Sequence, residues 1–216
     1  NVATDDWIVM QTGVGAFSEA GVTYTNGLGI PRAIDTDGNG TADYVYAGDL
    51  VGNLYRFDIS SADPADWAMT QILFKADYEV STGVKSRQPI TTQPIVTPNE
   101  GYGGYLVIMG TGSWMTEDDI ASTGVQSLYG IWDRDPTVVD TTVKATEVVE
   151  HVYSNVLTPL LGYTYRTLTD NTVAYKVRNS SGNLGVYGWK IDFDMCAAGS
   201  SGSCAAEYPG ERAIRN

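Results

Sequence analysis

Gly52-Asn53-Leu54-Tyr55-Arg56-Phe57-Asp58 recurs loosely as Gln126-Ser127-Leu128-Tyr129-Gly130-Ile131-Trp132-Asp133, and more faintly as Tyr187-Gly188-Trp189-Lys190-Ile191-Asp192. Each is an aromatic-rich extended run that closes on an aspartate. A recurring strand-sized unit points to repetition, in which each unit buries its face against the next. The interval is longer than the ~40–50 residues of a simple propeller blade, so these blades carry insertions. Aromatic strands pack between blades, and each closing Asp is expected to cap the turn that follows.

The chain around these runs reads the same way. Short extended stretches lie at Trp7 to Gln11, Asp43 to Ala47, Leu54 to Ile59, Tyr105 to Met109, Leu128 to Trp132, Lys144 to Val152, Tyr163 to Leu168, Thr172 to Val177 and Gly188 to Phe193. Gly, Asn, Asp and Pro cut them apart. Only Ser61 to Ala68 carries a helix-start signal, with Pro64 at the first turn. Many short strands between turn signals mean an all-β sandwich, barrel or propeller, and the repeat selects the β-propeller.

Composition removes several functions. The 216 residues hold 26 Asp+Glu against 13 Lys+Arg, a formal net charge of −13. A phosphate backbone needs a basic patch, so nucleic acid is excluded as a partner. An anionic membrane surface is disfavoured for the same reason. The longest apolar run, Tyr105 to Met109, is strand-sized, so this segment inserts no helix into a membrane. The chain opens at Asn1 without an initiator Met or a signal-peptide pattern, and reads as a processed or excised segment.

The catalytic inventory is thin. The one histidine, His151, sits in the strand-like run Glu147-Val148-Val149-Glu150-His151-Val152-Tyr153 and reads as a surface strand residue. Gly112-Ser113-Trp114 lacks the second glycine of a nucleophile elbow. Gly13-Val14-Gly15-Ala16-Phe17-Ser18 lacks the last glycine of a dinucleotide loop and no helix pattern follows it, so it reads as a turn. The two cysteines, Cys196 and Cys204, flank a small, glycine-bearing tract whose ends can meet. We expect a disulfide there, pinning a hairpin tip and implying an oxidising compartment.

One segment carries specific chemistry: Asp35-Thr36-Asp37-Gly38-Asn39-Gly40-Thr41-Ala42-Asp43. Oxygen-bearing side chains stand at positions 1, 3, 5 and 9, and glycine at position 6, as in the front of an EF-hand loop. A hard cation needs six to eight oxygens at ~2.4 Å, and alternate side chains of a tightly curled loop converge on one point. The expected Ca²⁺ ligands are Asp35, Asp37, Asn39, Thr41 through its carbonyl, and Asp43. Position 12 of an EF-hand is a bidentate Glu; here it is Tyr46. The flanks, Pro31 to Ile34 and Tyr44 to Ala47, are extended rather than helical. The loop therefore bridges two strands, and Asp43 is expected to bind bidentately in place of the missing Glu.

The run from Ile34 through Asp58 resembles the calcium-loop blade of PilY/PilC-type proteins, the type IV pilus biogenesis factors and tip adhesins. Further matches follow in order: Gln88-Pro89-Ile90-Thr91-Thr92-Gln93-Pro94, Met109-Gly110-Thr111-Gly112-Ser113-Trp114, Gln126 through Asp133, and Gly188 through Asp192 with Gly210-Glu211-Arg212. The resemblance spans residues 7 to 212. It implies a modified, quinoprotein-like β-propeller with one calcium loop, here an incomplete set of blades within a single domain or fragment over 1–216. It carries the ligand roles to Asp35, Asp37, Asn39, Thr41 and Asp43. It also implies export through the periplasm to the bacterial surface, with partners among the minor pilins and host or abiotic surfaces. Calcium occupancy would regulate pilus extension against retraction, and with it twitching motility and attachment. The expected protein is not an enzyme.

Two other readings compete. One is a blade set from a quinone-cofactor dehydrogenase, whose strands end similarly; it needs an axial cofactor pocket with cationic and cysteine contacts, which the sequence does not offer. The other is a generic calcium-stabilised extracellular binding propeller.

Overall fold

Two-residue alternation builds the first sheet. In strand β4 (Tyr44–Gly48), Tyr44 and Tyr46 face one side while Val45 and Ala47 face the other. In β5 (Asn53–Asp58), Leu54 joins the first face, and Tyr55 and Phe57 the second. Alternation of this kind puts successive side chains on opposite faces of a pleated strand. Both faces are apolar here because both are covered. The computed structural model describes residues 8–19, 21–100, 103–122, 124–139, 142–144, 149–150, 153–158, 163–168 and 188–193.

The sheet is an antiparallel meander. β3 (Arg32–Ile34) pairs with β4, β4 with β5, and β5 with β6 (Ala68–Lys75). A second meander has the same plan: β9 (Ile95–Pro98), β10 (Tyr105–Gly110), β11 (Ser127–Asp133) and β16 (Gly188–Asp192). Each gains a short parallel strand on its outer edge. β12 (Val143–Lys144) adds to β6, and β13 (Val149–Glu150) adds to β16. These are two blades of a β-propeller, and neither sheet closes on itself.

The recurring motif now has a structural meaning. Gly52–Asp58 and Gln126–Asp133 supply β5 and β11, the third strand of each blade. The third echo does not begin another blade. Tyr187–Asp192 supplies β16, the fourth strand of the blade that β11 belongs to, because its alternating Trp189 and Ile191 pair against Gly130 and Leu128. The long interval is filled by insertions. A hairpin of β7 (Asp77–Ser81) and β8 (Val84–Arg87) separates the blades. A second hairpin, β14 (Tyr153–Thr158) with β15 (Tyr163–Leu168), lies between the third and fourth strands of the second blade. A third, β1 (Phe17–Glu19) with β2 (Val22–Tyr24), precedes both blades.

The main core lies between the blades. Tyr44, Tyr46, Leu54 and Phe74 from the first meet Val107, Met109, Tyr129 and Ile131 from the second. Phe74 and Tyr129 touch with ring centroids 4.7 Å apart. Ile90, in the connection, is fully buried against Gly48. A Cβ at Gly48 would sit 2.1 Å from Ile90 Cγ2, so only glycine permits this approach.

The closing aspartates divide in role. Asp58 does cap the next turn, accepting from Ser60 N at 3.0 Å and Ser60 Oγ at 2.6 Å. Asp133 turns inward instead. It takes Arg56 Nη1 on both oxygens, at 2.8 and 2.9 Å, and the Tyr46 hydroxyl at 2.8 Å. Arg56 and Asp133 are 1% and 3% exposed, so this pair staples the blades from within the core.

Several expected elements differ. Residues 8–11 are not strand. Lys144 to Val152 is not one strand; its described parts belong to the edges of two different sheets. Ser61 to Ala68 forms a single 3₁₀ turn, Pro64–Asp66, with Asp63 as N-cap. The α-helix α1 (Glu117–Ala121) had an unread signal: Thr116 and Asp119 form a capping box, with Asp in the usual Glu position. Thr172 to Val177 lies outside the described residues.

Candidate metal centre

The loop 35–43 is the turn between β3 and β4. Its ends are fixed by the strand pair Ile34 with Tyr44 and by Asp43 N donating to Ile34 O at 2.8 Å. Between them the chain folds back under its own side chains. Asp35 accepts from Gly38 N at 2.7 Å and from Gly40 N at 2.8 Å. Asp37 accepts from Asn39 N and Nδ2, and Asn39 Oδ1 accepts from Thr41 N at 2.7 Å and from the Thr41 hydroxyl. Gly38 and Gly40 have φ of 77° and 88°, the left-handed region that glycine enters without strain.

This curl brings carboxylate oxygens of Asp35, Asp37 and Asp43 within 4.8 Å of one another. Asp35 and Asp37 are exposed and Asp43 is buried, so the group is a shallow bowl with Asp43 at its base. The backbone N–H of Gly40 is the main influence holding the Asp35 carboxyl below its usual range; slight burial opposes it, and Gly38 N–H assists. Asp35 therefore stays ionised at neutral pH. The donor set is three carboxylates, the Asn39 amide oxygen and the Thr41 carbonyl, all hard oxygen. That chemistry fits Ca²⁺.

Thr36 anchors the Asp43 side chain. Asp43 Oδ2 accepts from Thr36 N at 2.7 Å and from Thr36 Oγ1 at 2.6 Å. Both donors fall on one oxygen, whereas Oδ1 takes no hydrogen bond among the described residues. Oδ1 is thus the Asp43 oxygen that stands clear of Thr36. Thr36, which sets this, lies between the spaced ligand positions, and no ligand spacing marks it.

Asp49 is a second carboxylate that the sequence reading passed over. It is 1% exposed and organises the β4–β5 turn. Its Oδ1 accepts from the N–H groups of Val51, Gly52 and Asn53, and its Oδ2 from Asn26, Asn53 and the Tyr55 hydroxyl. Six donors and no facing carboxylate make it a structural hub. Ser113 donates to Asp119 at 2.8 Å, in keeping with its place before a capped helix. His151, Cys196 and Cys204 lie outside the described residues.

Comparison with known proteins gives one consistent answer. The family model described as the PilY1 beta-propeller domain matches residues 10–157. The type IV pilus biogenesis factor PilY1 of Pseudomonas aeruginosa (strain UCBPP-PA14) is 29% identical over 216 residues, covering 82% of this chain and 18% of the relative. A PilY1 homolog of Xylella fastidiosa (strain Temecula1) is 31% identical over 198 residues, covering 90% of this chain and 14% of the relative. The chain thus spans less than a fifth of either protein. The crystal structure of the P. aeruginosa PilY1 C-terminal domain superposes with a TM-score of 0.65 at 28% identity, over 85% of this chain and 42% of that one. The family model covers more than half of the chain and both blades' shared strands, and the chain belongs to the PilY1 β-propeller family.

Proposed function

We propose that this chain is a calcium-binding propeller segment of a type IV pilus biogenesis protein and tip adhesin. The observation that carries the calcium reading is the convergence of Asp35, Asp37 and Asp43 within 4.8 Å, on a hairpin loop that also carries Asn39 and Thr41. Asp35, Asp37, Asn39, Thr41 and Asp43 would hold the ion, with water completing six to eight oxygens. The cation supplies charge neutralisation: three like charges gathered on one loop oppose its closure, and binding removes that opposition. Occupancy would order the loop and bias the strand that starts at Tyr44. In the whole pilus protein that bias would regulate extension against retraction, twitching and attachment.

The names of the relatives support the pilus assignment and a non-enzymatic role. Minor pilins and host or abiotic surfaces are the partners we propose, at the cell surface after export through the periplasm. Among the described residues no helix is long and apolar enough to cross a membrane. A Cys196–Cys204 disulfide would suit that route. Titration calorimetry tests the central claim. One Ca²⁺ per chain is expected, with Mg²⁺ binding far more weakly because a flexible multi-oxygen loop suits the larger ion. No heat at millimolar calcium would refute it.

A further inference from the structure

We propose that the Asn39–Gly40 peptide is a self-modification site, where the loop converts Asn39 to aspartate or isoaspartate with Asp35 as the base. The sequence holds two Asn-Gly pairs, Asn26–Gly27 and Asn39–Gly40. In such a pair the glycine nitrogen attacks the asparagine side-chain amide carbon, and the missing Cβ leaves the approach open. The two pairs sit in opposite surroundings. Asn26 is half-buried, and its Nδ2 donates to Val14 O at 3.2 Å and to Asp49 Oδ2 at 2.9 Å. Gly27 O accepts from Leu50 N at 3.1 Å, so distant parts of the chain pin that pair. Asn39 is exposed, as is every residue from 35 to 41. Its side-chain bonds go to Asp37 and Thr41, inside the same loop. A Cβ built on Gly40 would meet nothing within 4 Å. An exposed loop held by its own residues opens at low cost.

The bonds of the loop also place the reacting groups. Gly40 N donates to Asp35 Oδ2 at 2.8 Å, which puts a carboxylate on the proton that must leave. Asn39 Oδ1 accepts from Thr41 N at 2.7 Å and from the Thr41 hydroxyl. Those two donors face the oxygen that gains negative charge during attack. Gly40 N forms a bond to Asn39 Cγ, its proton passes to Asp35 Oδ2, and the carbonyl electrons move onto Oδ1. The adduct then collapses, the Cγ–Nδ2 bond breaks, and the amino group leaves as ammonia, taking a proton by way of solvent. Water opens the resulting cyclic imide at either carbonyl. One opening gives aspartate, a fourth carboxylate in the loop. The other gives isoaspartate, which routes the main chain through the former side chain and resets the spacing of the donors that follow.

The chemistry needs no ion, so only its control by calcium rests on the calcium reading: an ion that ties the loop closed slows the attack. Peptide-mapping mass spectrometry of the 216-residue chain aged in EDTA, with isoaspartate read by enzymatic methylation, tests the site. Asn39 should deamidate at least ~10-fold faster than Asn26. Asp35→Asn keeps an acceptor for the Gly40 N–H but cannot take its proton, so Asn39 should slow at least ~3-fold. An Asp35 that only restrains the loop would give an equal or faster rate in that variant. The Asn26 rate, unchanged, reports that the variant is folded. Saturating calcium should slow Asn39 in the parent chain at least ~3-fold. The proposal is overturned if Asn39 deamidates no faster than Asn26, or if Asp35→Asn leaves its rate equal or higher. Fast deamidation that calcium does not slow would instead refute Asn39 as a calcium ligand and leave the modification site standing.

Discussion

Replacing Asp43 by Asn isolates its charge from its place in the fold. The Asp43 carboxylate accepts two bonds from Thr36 on Oδ2, and an Asn carbonyl oxygen can accept both. The backbone bonds of residue 43, to Ile34 O and from Ile59 N, are untouched. What disappears is one of the three negative charges gathered within 4.8 Å. Without calcium, stability should hold or rise slightly, because like-charge repulsion falls. With calcium, affinity should drop at least ~10-fold, equivalent to ~1.4 kcal/mol. At fixed saturating calcium the same ~1.4 kcal/mol is lost from ligand-linked stabilisation, a melting temperature lower by about 3–5 °C for a chain of this size. Thr36→Val is the control. It removes the hydroxyl donor and keeps the charge, so it should cost ~1 kcal/mol of stability without calcium and change calcium affinity less than ~3-fold. Calorimetry and thermal melts, each with and without calcium, read all four quantities. If Thr36→Val weakens calcium binding as much as Asp43→Asn, Asp43 acts through the hydrogen bond and is not a ligand.

Thr41→Ala should leave calcium affinity within ~3-fold of the parent: the Thr41 hydroxyl donates to Asn39 Oδ1, so its loss removes one of the two bonds on that oxygen and leaves the Thr41 N–H bond; a tenfold loss by calorimetry would mean the hydroxyl itself coordinates. Asp133→Asn should cost ~3 kcal/mol in urea unfolding, because Arg56 would remain buried with its paired negative charge gone; a loss under ~1 kcal/mol would mean the charge pair contributes little to holding the blades together. Burial, and then the neighbouring Asp133, hold the Tyr46 hydroxyl proton above the ordinary tyrosine range, and burial with the Asp49 bond does the same for Tyr55. Both raised groups contribute stability that is complete below about pH 10 and lost as pH climbs above it; Tyr46→Phe should flatten part of that alkaline decline in thermal melts, and an unchanged slope would refute the assignment. Intact, unreduced protein matured outside a cytoplasm should show a mass two hydrogens below the dithiol form, from Cys196–Cys204; two alkylatable thiols would disprove the bridge.

Local signals proved readable where they act within one loop or one strand. The glycines of 35–43 and its spaced oxygens converge because every contact that curls the loop lies within eight residues. The third strands β5 and β11 were legible for a related reason: alternation along six or seven residues states which face is buried. What escaped depends on distant partners. Asp133 and Asp58 end the same motif, but Asp133 meets Arg56, 77 positions earlier, while Asp58 meets Ser60. Nothing near either aspartate distinguishes them. The motif in β16 misled because third and fourth strands of one blade bury the same kinds of residues against each other, so likeness of sequence did not mean likeness of position. β6 went unread for the opposite reason: Ala68–Lys75 bulges twice against β5, which breaks its alternation. The calcium loop and the blade staple also meet on one element. β4 begins just after Asp43 and carries Tyr46, whose hydroxyl reaches Asp133 of the second blade. The same strand thus joins the loop at its start to the blade interface three residues on.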